Sequence, residues 1–317
     1  MQRHSRGIAG IAGFVSAALL LAGSATAVLA ESRDDVITVY ATTGYLADAV
    51  ANVAPEAEIT TMVGPGGDPH TYQPSTKDIE TIRNADAVIW NGLHLEARMD
   101  DQLSSLGDKQ VAVGELLPKE MLLDWPETDA EGNPLHDPHV WNSPDAWALV
   151  VGYIADKLSE LDPAGAAQYQ ENANAYIAEI AAAAADARIM LSTIPAKSRI
   201  LITGHDAFNY FGETYGIKVY ATDFVSSEAT MSPQEMNALA QVIVDNQIPV
   251  IFQDNLANPQ AITSLKEAVS AQGWEVEISD RELFADSLGP EPGVDTYLGV
   301  FRYNARTVAE ALGTGGS

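Results

Sequence analysis

Short apolar runs alternate with amphipathic stretches along most of the chain. In the first half, nearly continuous apolar or β-branched runs predict strands at residues 36–41, 58–63, 87–90 and 110–113. In the second half, similar runs predict strands at residues 199–203, 218–222, 249–253 and 274–278. Helical stretches lie between them, including one at about residues 95–106. This alternation predicts an α/β fold with mainly parallel sheets and helices on both faces.

Two segments in the middle of the chain interrupt this alternation. Residues 118–139 have no clear periodicity and predict a long irregular loop. Residues 163–194 are Ala-rich and lack proline after Pro163, which predicts a helix of about 30 residues and roughly 45 Å. A coiled-coil tail is the alternative, but the helical pattern stops at Pro195 and strands then resume. We therefore expect an N-terminal α/β lobe (31–162), a linking helix (163–194) and a C-terminal α/β lobe (195–317).

The first 30 residues have the order of a secretory signal peptide. Arg3, His4 and Arg6 precede a short apolar run at about residues 8–22, and small residues follow up to Ala27 and Ala30. The run is short compared with the roughly 20 residues of a membrane span. We therefore expect residues 1–30 to be removed and the protein to be periplasmic. The sequence contains no cysteine, so we expect no disulfide and no lipid anchor on cysteine.

The charge of the chain narrows the classes of partner. The formal net charge is −27, and removal of Arg3 and Arg6 with the signal peptide makes it more negative. Such a surface repels phosphate backbones and anionic lipids while it concentrates cations. We therefore expect no nucleic-acid partner. The acidity also has a simpler explanation, which is the solubility of an exported protein.

Few histidines remain for chemistry once His4 is assigned to the signal peptide. His70 follows Gly-Gly-Asp-Pro, His139 follows Asp-Pro, and His205 follows Thr-Gly. His70 and His205 also come soon after predicted strands, at the ends where open α/β sheets gather ligands. A lone histidine is usually a surface or core residue, but three in such positions favour a metal site.

A metal site of this kind also needs a carboxylate. Asp286 lies in a short loop after the last predicted strand. The residue pattern alone does not separate it from Asp223, Asp254 or Asp280, and an Asp beside Ser and Gly commonly caps or forms a turn.

Four separated motifs resemble the ligand segments of one protein family, the zinc/manganese solute-binding proteins of ABC importers. They occur in the family's order and with its spacing over essentially the whole chain after the signal peptide. The motifs are Gly-Asp-Pro-His70-Thr-Tyr-Gln-Pro-Ser, Asp-Pro-His139-Val-Trp-Asn-Ser-Pro, Gly-His205-Asp-Ala-Phe-Asn-Tyr-Phe and Phe284-Ala-Asp286-Ser-Leu-Gly.

The resemblance implies two (β/α) lobes joined by one long spine helix, with a metal site in the cleft between them. The first lobe would supply His70 and His139, and the second lobe His205 and Asp286. The function implied is a metal carrier, not an enzyme, that delivers its ion to the membrane permease of an ABC transporter. We expect it to act as a monomer.

The ligand types favour zinc as the transported metal. Manganese-type members of the family tend to have Glu at the third ligand position, where this chain has His205. Three imidazoles and one carboxylate suit tetrahedral Zn(II), whereas Mn(II) prefers more oxygen ligands. Manganese or iron remains the alternative within the family.

Two further expectations concern the loop before His139 and the choice between carrier and enzyme. Zinc-binding members often carry a run of histidines in this loop, but here His136 stands alone with Asp129, Glu131 and Asp137. We expect His136 to capture zinc weakly, and a periplasmic zinc metallochaperone is a candidate second partner. A mobile solvated loop explains the segment equally well.

A zinc-dependent hydrolase is the alternative from another class, although no His-Glu-x-x-His helix is present.

Overall fold

Parallel β-strands form the framework of the residues that the computed structural model describes, namely 36–128, 132–223, 231–256 and 259–313. The predicted signal peptide, residues 1–30, lies outside this range. Each half of the described chain has its own set of parallel strands, and a long helix lies between the two halves in sequence. The predicted α/β fold with two lobes and a spine helix is confirmed.

The first lobe is built on one four-stranded sheet with strand order β2-β1-β3-β4, in which every pair is parallel. The central strands are buried on both faces, as their continuous apolar runs predict. Thr43 and Ser75 cap the first two helices through their side chains. The elements are β1 (Thr38–Ala41), α1 (Gly44–Val53), β2 (Glu58–Thr61), α2 (Thr76–Asn84), β3 (Ala87–Trp90), α3 (Asp100–Ser104) and β4 (Gln110–Ala112).

The helix predicted at residues 95–106 is much shorter in the structure, where only α3 is α-helical. Gly92, Leu93 and His94 all have positive φ, at 72°, 54° and 67°. The buried carboxylate of Glu96 then accepts hydrogen bonds from the backbone N–H groups of Asn91 and Gly92, at 2.9 and 3.1 Å. A left-handed backbone cannot start an α-helix. The chain therefore turns here, and the apolar residues Leu95 and Met99 are buried from the turn.

The segment predicted as a long irregular loop contains an antiparallel hairpin, so that expectation was wrong in part. The strands are β5 (Asp124–Thr128) and β6 (Pro134–His136), with Asp124 opposite His136 and Trp125 opposite Leu135. Trp125 is buried, and burial of this one aromatic side chain accounts for pairing in a segment without clear periodicity.

Two consecutive helices, α4 (Pro144–Leu161) and α5 (Ala166–Ser192), carry the chain from the first lobe to the second. The spine helix α5 has 27 residues, which is about 40 Å at the rise of an α-helix. Its buried positions recur every three or four residues, and half of them are alanine. They are Ala173, Tyr176, Ile180, Ala183, Ala187 and Leu191. This face packs against α4, α1 and the C-terminal helix α9 (Tyr297–Gly313).

The second lobe repeats the alternation of strand and helix, and its last two strands have 2 residues each. The pairs β7–β8 and β9–β10 are parallel. The backbone N–H of Phe252 donates to the carbonyl of Ile202 at 2.8 Å and joins the two pairs. The elements are β7 (Ile200–Thr203), α6 (Asn209–Tyr215), β8 (Lys218–Ala221), α7 (Pro233–Asn246), β9 (Val250–Ile251), α8 (Pro259–Ala271) and β10 (Glu277–Ile278).

Apolar side chains form a main core that extends through both lobes and an outer core confined to the second lobe. The main core includes β1, β3, α1, α4, α5 and α9, together with Phe252 and Phe284 of the second lobe. The outer core consists of Ile202, Leu239, Ala240, Ile243, Ile248, Ile251, Ile262, Leu265, Val269 and Val276. Within the described residues, no helix is both long and apolar enough to span a bilayer.

Candidate metal centre

Four side chains from loops of the two lobes converge on one buried point. His70 lies in the loop between β2 and α2, and His139 lies between β6 and α4. His205 follows β7 directly, and Asp286 lies in the loop between β10 and α9. These are the four residues singled out in the sequence, and the structure brings all of them together. Their exposed fractions are 5%, 0%, 1% and 0% in that order.

The Nε2 atoms of the three imidazoles and the carboxylate oxygens of Asp286 approach one another closely. Asp286 Oδ2 lies 3.1 Å from His70 Nε2 and 3.1 Å from His205 Nε2, and Oδ1 lies 3.4 Å from His139 Nε2. His139 Nε2 is 3.3 Å from His70 Nε2 and 3.2 Å from His205 Nε2. All four ligand atoms lie within 4.8 Å of one another.

These separations match those expected around a single metal ion. Tetrahedral zinc with bonds of about 2.0–2.1 Å has neighbouring ligand atoms about 3.3 Å apart. Among the described residues, neither Asp286 oxygen has a hydrogen-bond partner in good geometry, despite the short distances to the imidazoles. Buried carboxylates without hydrogen bonds are costly unless a cation compensates the charge. The four side chains can therefore hold a metal ion.

Both first-lobe histidines stand in the same local motif, Asp-Pro-His. The backbone N–H of His70 donates to Asp68 Oδ1 at 2.8 Å, and that of His139 donates to Asp137 Oδ1 at 2.9 Å. An aspartate that accepts a hydrogen bond from the backbone two residues on forms an Asx-turn. The repeated Asp-Pro-His is visible in the sequence, but the repeat alone does not indicate a role for the aspartate. In the structure the aspartate shapes the turn that presents the histidine.

Asp137 has a second role that Asp68 does not share. Its Oδ1 also lies 2.7 Å from His139 Nδ1, and because an ionised carboxylate only accepts, Nδ1 must be the donor. This leaves Nε2 of His139 free to bind the metal, as in carboxylate–histidine–metal triads. Oδ2 of Asp137 accepts a hydrogen bond from Asn209 of the second lobe at 3.0 Å.

The second-lobe residues are held mainly through their backbones. The N–H of His205 donates to Asp254 Oδ2 at 2.7 Å, whereas its buried Nδ1 has no hydrogen-bond partner among the described residues. The carbonyl of Ala285, next to Asp286, accepts hydrogen bonds from Tyr45 and Trp141 of the first lobe, both at 3.0 Å. No pattern in the sequence indicates these supporting roles.

Burial and neighbouring charges shift the pKa values of the histidines and the carboxylate of the site. Burial disfavours the charged form of His139, but the charges of Asp286 and Asp137 outweigh this and raise the pKa of His139 to about 10. Burial acts against ionisation of Asp286, yet the His205 and His139 cations hold the pKa of that carboxyl well below its usual range. For His70, burial dominates and lowers the pKa. The charges of Asp286 and Asp137 thus favour a protonated His139, and a metal ion at its Nε2 atom would have to displace that proton.

The remaining described histidines lie outside this cluster. His94 Nδ1 lies 4.0 Å from Asp100 Oδ2, and His136 Nδ1 lies 3.9 Å from Asp124 Oδ1 across the hairpin. In the described part of the chain, the four converging residues are the group of His, Asp and Glu ligand atoms close enough to share one ion.

Comparison with known proteins decides the family. The model described as "ZnuA: Zinc-uptake complex component A periplasmic" matches residues 39–311. The chain belongs to this family. ZnuA-family proteins are the metal-binding, solute-binding components of ABC importers, and the family is one of carriers and not of enzymes. Family membership implies a membrane permease and its ATPase as partners.

Individual relatives of the ZnuA family differ in the metal for which they are named. The zinc-binding protein TroA of Treponema pallidum is 34% identical over 287 residues, covering 89% of this chain and 90% of TroA. The manganese-binding lipoprotein MntA of Bacillus subtilis is 33% identical over 306 residues, covering 95% and 98%. The iron-binding protein YfeA of Yersinia pestis is 31% identical over 294 residues, covering 91% of each.

The solved structure of the periplasmic zinc-binding protein TroA from Treponema pallidum has the same fold as this ZnuA-family chain. The two superpose with a TM-score of 0.81 at 33% identity, over 88% of this chain and 99% of the TroA chain. The two lobes and the long helix are therefore family features, and the identity of the metal is a separate question.

Proposed function

We propose that this protein binds Zn(II) in the periplasm and delivers it to the permease of an ABC importer. One observation carries the proposal: the carboxylate oxygens of Asp286 lie 3.1 to 3.4 Å from the Nε2 atoms of His70, His139 and His205, and His139 Nε2 lies 3.2 to 3.3 Å from the other two. Three neutral imidazoles and one carboxylate form a closed tetrahedral set of the kind that holds zinc without an open position for water.

The ligand chemistry favours zinc over manganese. Mn(II) prefers oxygen-rich sites of higher coordination number, and His205 occupies the position at which manganese-type members tend to have Glu. The case for Mn(II) or iron as a second candidate comes from Asp286. Both of its oxygens face the imidazole nitrogens, so the carboxylate could bind a metal through two oxygens. The relatives named for manganese and iron support keeping this candidate.

The experiment that tests the proposal is a zinc titration against a competing chelator. Substitution of His70, His139 or His205 by alanine should lower the zinc affinity by more than about 100-fold. Loss of a residue that only hydrogen-bonds a metal ligand costs at most about that much. His94→Ala is the matched control and should bind zinc like the wild type. If His94→Ala were as damaging as His205→Ala, the assigned ligand set would be wrong.

Metal analysis of the protein purified from its native compartment distinguishes the two candidate metals. Zinc in one equivalent supports the proposal, and manganese or iron in its place would select the second candidate. The same sample tests the zinc-dependent hydrolase alternative, because a water ligand beside a free carboxylate in a crystal of the zinc form would favour an enzyme.

The remaining parts of the proposal concern compartment and partners. Export by a cleavable signal peptide, the absence of a lipid anchor, a monomeric state and the lobe boundaries at residues 162 and 195 stay predictions. Capture of zinc by His136 and loading by a periplasmic metallochaperone are also predictions. His136→Ala should slow zinc uptake and zinc transfer from such a chaperone, and unchanged rates in both assays would contradict this role.

A further inference from the structure

Two adjacent residues that follow β9, Asp254 and Asn255, contact both second-lobe loops of the metal centre. Neither belongs to the ligand set. Asp254 is buried and forms a β-bridge with Leu283. The backbone N–H of Asn255 donates to the carbonyl of Leu283 at 2.9 Å. The pair is thus fixed against the strand-like segment that leads to Asp286.

The side chain of Asn255 holds Asp286 from both sides. Its Oδ1 accepts the backbone N–H of Ala285 at 2.9 Å, and its Nδ2 donates to the carbonyl of Ser287 at 3.1 Å. Both backbone neighbours of the ligand are therefore bound by one amide group. This matters because, within the described part of the chain, neither oxygen of Asp286 has a hydrogen bond in good geometry. The direction of the carboxylate is then set by its backbone.

Asn255 also reaches the first lobe through one intermediate atom. Its Nδ2 donates to Ser287 Oγ at 2.7 Å, and the same Oγ accepts the backbone N–H of Gly66 at 3.0 Å. Gly66 belongs to the loop that carries His70 and has φ of 73°, a conformation that favours glycine. The loops of His70 and Asp286 are thus joined at Ser287.

Asp254 holds the backbone of His205, as Asn255 holds the backbone on both sides of Asp286. Its Oδ2 accepts the backbone N–H of His205 at 2.7 Å, while Oδ1 accepts the N–H of Leu256 at 3.1 Å. On the other side of the ligand, Thr203 Oγ1 donates to the carbonyl of His205 at 2.9 Å. Since Nδ1 of His205 has no hydrogen-bond partner in the ranges that the structure describes, these backbone contacts position the imidazole.

The position of the pair relative to the two cores gives it a wider role. Ile251 belongs to the outer core and Phe252 to the main core, so β9 ends where the two cores meet. Functional groups must be held within about 0.5 Å of their productive geometry by surrounding hydrogen bonds. A displacement of the outer core would reach both second-lobe ligands through this one segment.

We propose that Asp254 and Asn255 are positioning residues that set the separation of His205 and Asp286 and thereby govern the rate of metal release. This inference rests on the metal-carrier function proposed above. Loss of the outer partners of metal ligands typically costs about 10- to 100-fold in affinity. We expect Asn255→Ala to increase the zinc dissociation rate by about that factor.

The test compares Asn255→Ala with Asn246→Ala in the full chain. Asn246 also donates a side-chain hydrogen bond to a backbone carbonyl in the second lobe, to Val242 at 2.8 Å, but it lies at the end of α7, away from the ligand loops. Zinc dissociation is measured by transfer to a chelator, and the visible ligand-field spectrum of bound Co(II) reports the coordination geometry. We expect Asn255→Ala to release zinc faster and to alter the Co(II) spectrum. Asn246→Ala should do neither.

A change of melting temperature alone would not support the inference, since any lost hydrogen bond lowers stability. Wild-type rates and spectra in Asn255→Ala, or equal effects in Asn246→Ala, would overturn it. Should Asn255→Ala not fold, Asn255→Asp keeps the acceptor for Ala285 but turns an oxygen toward Ser287, and the same readouts apply. Failure of the proposed function is separate, because the wild type would then bind no zinc or His205→Ala would bind it normally.

Discussion

At the scale of single residues, the aspartate of each Asp-Pro-His motif decides how its histidine is used. Asp68 shapes the turn at His70, and its Oδ2 accepts a hydrogen bond from the hydroxyl of Thr71 at 2.8 Å. Asp137 shapes the turn at His139 and also contacts the imidazole. The same three-residue motif thus presents two different imidazoles. His70 has a lowered pKa and favours the neutral form, whereas His139 has a raised pKa and is fixed in orientation by Asp137.

The first prediction concerns Asp137. Asp137→Asn keeps an acceptor for the N–H groups of His139 but removes the charge that makes the imidazole a strong donor to metal. We expect zinc affinity to fall by about 10- to 100-fold, measured by chelator competition at pH 8. Asp186→Asn, an exposed aspartate on the spine helix, is the control. Equal affinities for Asp137→Asn and the wild type would contradict a role for this carboxylate.

The second prediction is a pH dependence that follows from His139. Its pKa is raised from 6.5 to about 10, so the metal-free protein carries this proton at neutral pH and must lose it when Nε2 binds the metal. Zinc affinity should therefore rise by at least about tenfold per pH unit between pH 6 and 8, because the pKa of His205 is also raised and its proton adds to the release. Calorimetry in buffers of different ionisation enthalpy should show about one to two protons released. A flat affinity over this range would mean that His139 is neutral before binding.

At the scale of elements, the spine helix depends on small residues along its buried face. Ala187 is fully buried in the main core, whereas Ala185 is exposed on the same helix. Ala187→Leu should destabilise the protein by about 1–3 kcal/mol through overpacking, and Ala185→Leu by less than about 0.5 kcal/mol. Chemical denaturation measures both. Equal stabilities for the two variants would show that the neighbouring helices do not need a small residue at position 187 to pack against the spine helix.

The elements also show how far sequence patterns reach. Strands β1 and β3 and helix α5 were predictable because their patterns are long or continuous, and burial follows such patterns directly. The helix at residues 95–106 was predicted too long because the left-handed turn at Leu93 and His94 is imposed by the buried Glu96, a contact that periodicity does not reveal. The hairpin was missed because a single buried side chain, Trp125, accounts for its pairing.

The residues of the metal centre were identified by resemblance as much as by chemistry. Histidines after strands and beside turn residues carry a signal of their own, but Asp286 looked like Asp254 in the sequence. In the structure the two differ by their surroundings: Asp254 accepts backbone N–H groups, whereas Asp286 faces three imidazoles. That distinction depends on contacts between residues far apart in the chain, which no local pattern contains.

At the scale of the whole molecule, hydrogen bonds between the lobes surround the metal centre. Besides the contacts at Ala285 and Ser287, Asn142 donates to the carbonyl of Ala207 at 2.8 Å, and Tyr210 donates to the carbonyl of Asp137 at 2.9 Å. The main core also runs through both lobes. Hydrogen bonds that hold the ligand-bearing loops lower the ordering cost of metal binding, so more of the binding energy can stabilise the fold.

The last prediction tests this coupling of binding to the whole fold. A metal that binds only the folded state at 100 times its dissociation constant adds about 2.7 kcal/mol, which in a protein of this size raises the melting temperature by roughly 4–5 °C. Because the ligands come from both lobes and one core joins them, we expect the two lobes to shift together in a single transition. His205→Ala should show no such shift with zinc. Two separate transitions, of which zinc moves only one, would mean that the lobes unfold independently and that the metal stabilises one of them.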